Sequence, residues 1–429
     1  MENAATRGQP RALAAIASMV TGSVPHAVLL VGPASSGKTT LALDLAAGLL
    51  CNDPDPKARP CRRCRGCRLV ASGNHPDLHR LAPEGPGGQV RIGKAGDPEP
   101  GTIRSLISEL ALLPAEGGSR VAIVEQAHRM NDDAQNALLK MLEEPPAGVT
   151  IVLCADDEEC LLPTVRSRCV RIRLGPVAGR EIECWLGELG AADASAASRF
   201  ARLAGGCPGL ALAYARAPDA ARLRGEIARG LIDLLSAGRH ERLTSVRGMM
   251  RSAAALEAAL AEGRKSRSED GGSSGGAGTP ATSRRRKKVA STAIQSAGDA
   301  DGEAGSDGGG DGDDSGDGRA AESAAPKVSA SERRAAASAL MSIWVSVARD
   351  LAVAALGGRR QHHDPELLDE LAAVAPTIAA GALPAFIARL GAIEAQLNEN
   401  VNPELALDVL ALAWPWPGRG RAAPRDPAA

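Results

Sequence analysis

The sequence predicts an α/β domain on a parallel sheet, followed by an all-helical remainder. Three observations carry that reading. Short, uncharged apolar runs recur at 27–31, 121–124 and 149–154, as expected of strands buried on both faces of a parallel sheet. Helical patterns lie between and after them, the alternation that builds βαβ units. Aromatics are scarce, with one Tyr, two Phe and four Trp in 429 residues. Leu, Ala, Val and Ile must therefore build the core, which favours close-packed helices over a large β-sandwich.

Taken in order, the run 27–31 is closed by Gly32, and a helical stretch follows over 40–50. Residues 133–144 place Ala134, Ala137, Leu138, Met141 and Leu142 on one helical face. Pro145-Pro146 stops that helix, because proline cannot donate and the residue before it avoids the α region. The α/β part thus spans 1–174. From 175 to 217 the text is Ala- and Leu-rich without strands and reads as a small helical unit. A larger helical region, 218–414, is interrupted at 263–330 by a low-complexity insert. That insert combines glycine, a basic run at 284–288 and an acidic stretch, with too few large apolar residues to offset the entropy of ordering. Residues 415–429 form a Pro-, Gly- and Arg-rich tail that reads as loose.

Composition excludes several classes. Fifty Lys plus Arg against 51 Asp plus Glu leave a net charge of −1, so no global basic field calls for nucleic acid. No uncharged apolar run reaches the length of a membrane span. The start MENAATRGQP lacks the basic-then-apolar layout of a secretory signal, and a cytoplasmic protein is expected.

The strongest local signal is Gly32-Pro33-Ala34-Ser35-Ser36-Gly37-Lys38-Thr39, followed by Thr40. It matches G-x-x-x-x-G-K-[ST] between a buried strand and a helix. Such a loop turns backbone N–H groups and a helix N-terminus toward a phosphate. Lys38 would reach the β- and γ-phosphates of ATP and the Thr39 hydroxyl would hold Mg²⁺. The competing reading is a glycine-rich turn that binds nothing. Turnover also needs an acid for the metal and a base for water at the end of a neighbouring strand. There the chain has Glu125-Gln126. Glu125 could orient magnesium, but the neutral amide of Gln126 cannot take a proton. Binding survives this reading better than hydrolysis.

Cys51, Cys61, Cys64 and Cys67 are spaced to meet at one tetrahedral Zn²⁺, and the surrounding arginines favour thiolates. Four ligands without a vacancy imply a structural ion; two disulfides or a redox pair are the alternatives. The remaining cysteines, 154, 160, 169, 184 and 207, read as small core residues. Arg168, in Thr164-Val165-Arg166-Ser167-Arg168-Cys169, is on its own a surface arginine that could reach a neighbour's phosphate.

The order GPASSGKTT, four cysteines, HPDL (75–78), NALLKMLEEPP (136–146) and TVRSRC resembles the bacterial AAA+ clamp-loader subunits of DNA polymerase III. NVNPELAL (400–407) is similar to the last collar helix of that family. In the tau/gamma ATPase type the strand ends in Asp-Glu, and a second-domain segment carries a sensor arginine. Here Glu125-Gln126 and Gly205-Gly206-Cys207-Pro208-Gly209 replace them, as in the delta prime type. The resemblance implies a RecA-like parallel-sheet domain with a zinc module, a helical lid and a helical collar. It implies a hetero-pentameric ring with tau/gamma and delta that loads the sliding clamp onto primed DNA. Arg168 would act in trans on a neighbour's ATP. An autonomous tau/gamma motor and a zinc-containing nucleic-acid-binding module are the rival readings.

Overall fold

In the computed structural model, all residues are described except Glu2, 84–87, 95–98, Gly117, 271–328, 359–361, Ala380, 399–400 and 417–429. Pro10–Thr21 (α1) precedes Ala27–Val31 (β1), and Lys38–Leu49 (α2) follows the glycine loop. Arg65–Ala71 (α3) lies within the cysteine segment, and Leu78–Leu81 (β2) comes next. Ile103–Leu110 (α4), Arg120–Val124 (β3), Asp132–Glu143 (α5), Val149–Ala155 (β4), Pro163–Arg166 (α6) and Val170–Arg173 (β5) complete this part.

The five strands are parallel in the order β2-β3-β4-β1-β5. Alternate residues feed opposite faces, as the pleat demands. Leu29, Ala122, Val124, Ile151 and Leu153 join the core under α4 and α5. Val28, Leu30, Val121, Ile123, Val152 and Cys154 join the core under α1 and α2. Both faces are covered, which is why the three central strands read as continuous apolar runs.

Gly179–Glu188 (α7), Ala194–Leu203 (α8), Pro208–Arg216 (α9), Pro218–Asp233 (α10) and Arg239–Asp270 (α11) follow. After 271–328 come Ala330–Ala355 (α12), Leu368–Val374 (α13), Ala382–Asn398 (α14) and Pro403–Ala413 (α15). Their buried residues, from Val177 to Trp414, share one apolar core. Three of the few aromatics concentrate there: Trp414 meets Trp344 at 5.7 Å and Phe386 at 4.7 Å between ring centroids. Arg242, fully buried, is the largest charged member of this region. Its guanidinium donates to the carbonyls of Leu235, Ala237, Ala411, Trp414 and Pro415, and it lies 3.8 Å from the Trp416 ring centroid. One side chain thereby ties carbonyls that follow α10 to carbonyls at and beyond the end of α15.

Several details differ from the sequence reading. The helix expected to break after Glu262 runs to Asp270. Most of the 263–330 insert and the tail beyond Trp416 lie outside the described residues. By length and composition α12 could cross a membrane, but Leu340, Ile343, Trp344 and Val347 are buried in the helical core. Of the cysteines read as core residues, Cys154 is buried, whereas Cys160 and Cys184 are exposed.

Candidate functional site

The sheet register builds the nucleotide-loop region. Strand β1 pairs with β4 so that Val31 lies opposite Ala155, and Gly32 N–H donates to Ala155 O at 3.3 Å. The loop therefore leaves the carboxyl edge of the sheet beside the end of β4, where open α/β sheets hold ligands. Gly32 has no room for a side chain, since a Cβ would fall 2.5 Å from Leu174 O. Gly37 starts α2 with φ 101°, a conformation that other residues avoid. A cavity of roughly 330 Å³ opens here, lined by Ser35 to Thr40, Glu125, Gln126 and Asp156. Thr6, Trp185, Gly209, Arg216 and Arg264 form its other walls. That volume lies within the range of small-ligand sites.

Lys38 is almost buried, and its ammonium is fully engaged. It donates to Gly32 O and Pro33 O at 2.7 Å each and pairs with Asp156 Oδ1 at 2.7 Å. Asp156 is fixed from behind, its N–H donating to His128 Nδ1 at 3.1 Å. Burial holds the His128 imidazole below its usual pKa, against the opposing pull of Asp156. The Ser36 hydroxyl is buried inside the loop without a hydrogen-bond partner. A phosphate oxygen would supply that partner, so the loop fits a nucleotide.

The end of β3 is arranged differently. Glu125 faces the cavity, yet its Oε1 accepts from Arg80 on β2 at 2.6 and 3.1 Å. Gln126 follows in the left-handed region, φ 50°, which is strained for a residue with a side chain. Across the cleft, Gly209 at the start of α9 donates its N–H to Ser35 O at 3.0 Å. A Cβ there would meet that same oxygen at 3.0 Å, so the start of α9 sits against the loop backbone.

The four cysteines meet as their spacing predicted. Their sulfurs all lie within 4.8 Å of one another, Cys51 being 3.5 Å from Cys61 and 3.9 Å from Cys64. Sulfurs about 2.3 Å from a tetrahedral zinc are about 3.8 Å apart, so the donor set fits that ion. The N–H of Cys67 donates to Cys64 Sγ, and those of Asp53 and Cys61 to Cys51 Sγ. Backbone donors, that of Arg63 foremost, bring the Cys61 thiol down to about 6. Burial pushes Cys51 and Cys67 upward. The arginines of this segment are largely engaged within the protein: Arg62 with Asp44, Arg65 with Glu116, and Arg59 with Asp53 O.

Arg168 lies on the surface after α6. Its guanidinium pairs with Glu143 at 2.6 Å and donates to Thr164 O at 2.8 Å. Arg166 pairs with Glu159 at 2.7 Å. The HPDL segment is an anchor. Asp77 accepts from the Ala115 and Glu116 N–H groups and from Arg120. Burial alone would raise its pKa, but these donors outweigh it and hold the carboxyl below the usual range.

Sequence reasoning did not single out Asp156, His128 or Asp44. Asp44, buried on α2, accepts from Ala5 N, Thr6 N and the Thr6 hydroxyl, which fixes the chain start along the cavity rim. An acid directly after an apolar strand was the available signal for Asp156.

Residues 8–178 match the family described as DNA polymerase III, delta subunit. Over 184 residues the chain is 38% identical to DNA polymerase III subunit delta' of Pseudomonas aeruginosa, covering 43% of this chain and 53% of that one. The family match falls on the α/β part. The Escherichia coli subunit delta' is 36% identical over 198 residues, covering 46% of this chain and 57% of that one. Subunit tau of Salmonella typhimurium is 34% identical over 168 residues, 39% of this chain and 24% of that one. The chain thus spans about half the length of the delta' relatives it matches. The five-stranded parallel sheet with its nucleotide loop, followed by helices, is the α/β-plus-α architecture expected from the sequence.

Proposed function

We propose that this chain works as a delta-prime-type subunit of a DNA polymerase III clamp loader, a nucleotide-binding member that does not itself turn ATP over. The observation that carries the reading is the pairing of a complete nucleotide loop with a disabled β3 end. Gly32 to Thr40 would hold ATP, Lys38 on its phosphates, with Thr39 and Glu125 toward Mg²⁺. Gln126 offers no base, and Glu125 is already committed to Arg80. Gly209, packed on Ser35, leaves no sensor arginine at that position. The four cysteines would hold one structural zinc ion. Residues 175–217 would act as lid and 218–414 as collar in a ring with tau/gamma and delta, which places the sliding clamp on primed DNA. Arg168, exchanging Glu143 for phosphate, would complete a neighbour's ATP site.

The test is co-purification with tau/gamma and delta, together with an ATPase assay of the chain alone. A stable complex and turnover below about 1 s⁻¹ are expected. Faster turnover by the chain alone would favour the tau/gamma reading, which the similarity to subunit tau keeps in view. The internal pairing of Arg59, Arg62 and Arg65 counts against a nucleic-acid-binding zinc module.

A further inference from the structure

Asp156 has no part in the loop motif, yet its side chain reaches Lys38 from the end of a neighbouring strand. Its place is dictated by the sheet: β4 lies beside β1, Ala155 opposite Val31, so the next residue emerges next to Gly32. The backbone is pinned by His128, and the carboxylate, about a third exposed (34%), faces the cavity. Lys38 has three N–H donors, and all are engaged: two by carbonyls of its own loop, the third by Asp156 Oδ1 at 2.7 Å. A phosphate oxygen that binds Lys38 must displace this carboxylate or lie close beside it. Two anionic groups around one ammonium repel, and more so as the ligand's charge rises. His128 Nε2, 3.7 Å from Asp156 Oδ2, belongs to an imidazole that burial keeps neutral, so it does not cancel the carboxylate.

We propose that Asp156 sets the phosphate selectivity of the cleft, holding Lys38 in place of a terminal phosphate and favouring a nucleoside diphosphate over the triphosphate. This inference rests on the reading of the cleft as a nucleotide site. Charge separates the two ligands: with one Mg²⁺ the triphosphate carries one more negative charge than the diphosphate, and that charge meets Asp156.

The experiment is titration of the full chain with Mg·ATP and Mg·ADP, in the wild type and in Asp156→Asn, Asp156→Ala and Asp157→Asn. Asp157 is exposed one residue further on, so its variant makes the same charge change away from Lys38. Asp156→Asn should tighten Mg·ATP by about tenfold or more and Mg·ADP by clearly less, moving the ATP/ADP affinity ratio toward the triphosphate. Asp156→Ala should do the same, and it serves as the second test if the amide variant rearranges. Asp157→Asn should leave both affinities unchanged. Equal tightening for both nucleotides, no tightening, or the same shift from Asp157→Asn would overturn the proposal while leaving the nucleotide site standing. If neither the wild type nor any variant binds nucleotide, the reading of the cleft itself falls, and this inference with it.

Discussion

The cysteine cluster and the nucleotide cleft are built on opposite electrostatic plans. In the cluster four sulfurs converge within 4.8 Å, and two of them are driven toward the neutral thiol by burial. A cation at their centre is what reconciles those groups. In the cleft the charges are already offset from within, Lys38 by Asp156 and Glu125 by Arg80. The difference teaches that ligand sites can relate to folding in two ways. On the proposed reading the first would need its ligand to be stable, whereas the second keeps its shape without one and would give up internal bonds to a ligand.

The largest effect is expected at the cysteines. Structural zinc contributes apparent binding free energies of about 10–16 kcal/mol to small metal modules, and removal returns that energy as instability. Elemental analysis should find about one zinc per chain. Chelation, or Cys64→Ser, should open residues 51–71 to hydrogen exchange and proteolysis. Retained protection after chelation would break the comparison on its first side.

The cleft should behave in the other way. Lys38→Ala should weaken Mg·ATP binding about a hundredfold, a change of about 2.8 kcal/mol, while the melting temperature moves only a few degrees. The asymmetry arises because Asp156, about a third exposed (34%), can turn to solvent, and water can take the place of the cleft-lining ammonium at the Gly32 and Pro33 carbonyls. If Lys38→Ala unfolds the domain, the pair is structural and the comparison fails on its second side.

Turnover sharpens the contrast further. Gln126→Glu restores a carboxylate in the β3 turn, but Glu125 stays bound to Arg80 and no arginine replaces Gly209. This variant should still hydrolyse ATP more slowly than about 1 s⁻¹ on its own. A vigorous ATPase would show that one side chain separates binding from catalysis here.

The smallest effect on the isolated chain belongs to Arg168. Its surface pair with Glu143 contributes little, so Arg168→Ala should alter stability by no more than about 0.5 kcal/mol. In the assembled loader the same change should lower ATP hydrolysis, with poor rescue by Arg168→Lys, because an ammonium lacks the planar fork. Arg166→Ala is the internal control. Equal rates for both alanine variants and wild type would return Arg168 to the role of a surface charge.

What the sequence disclosed follows the range of the physics involved. The nucleotide loop and the cysteine cluster are local chemistry, and the structure brings together the residues singled out for each. The central strands were legible because burial on both faces leaves an unbroken apolar run. Strands β2 and β5 were not, because they are the sheet edges, where polar residues break the apolar run: His79 and Arg80 side by side in β2, Arg171 and Arg173 alternating in β5. The partners of Lys38 and Glu125 depend on which strands are neighbours, and strand order is written nowhere in a linear text. Arg242 is the extreme case. Within Arg239-His240-Glu241-Arg242 it reads as one more surface charge, yet its partners lie some 170 residues away, at Ala411 and Trp414.

Helices α11 and α12 pack side by side within the helical core, and α12 begins with its own cap, Ser329 and Glu332 bonding to each other's backbone. The connection between Asp270 and Ser329 thus joins two elements already held by their flanks. For a flexible link between two held ends, each doubling of length costs only about 0.6 kcal/mol in closure entropy. For the experimenter this makes the connection a port: a fluorophore-bearing peptide or an affinity handle spliced there would interrupt no strand or helix among the described residues.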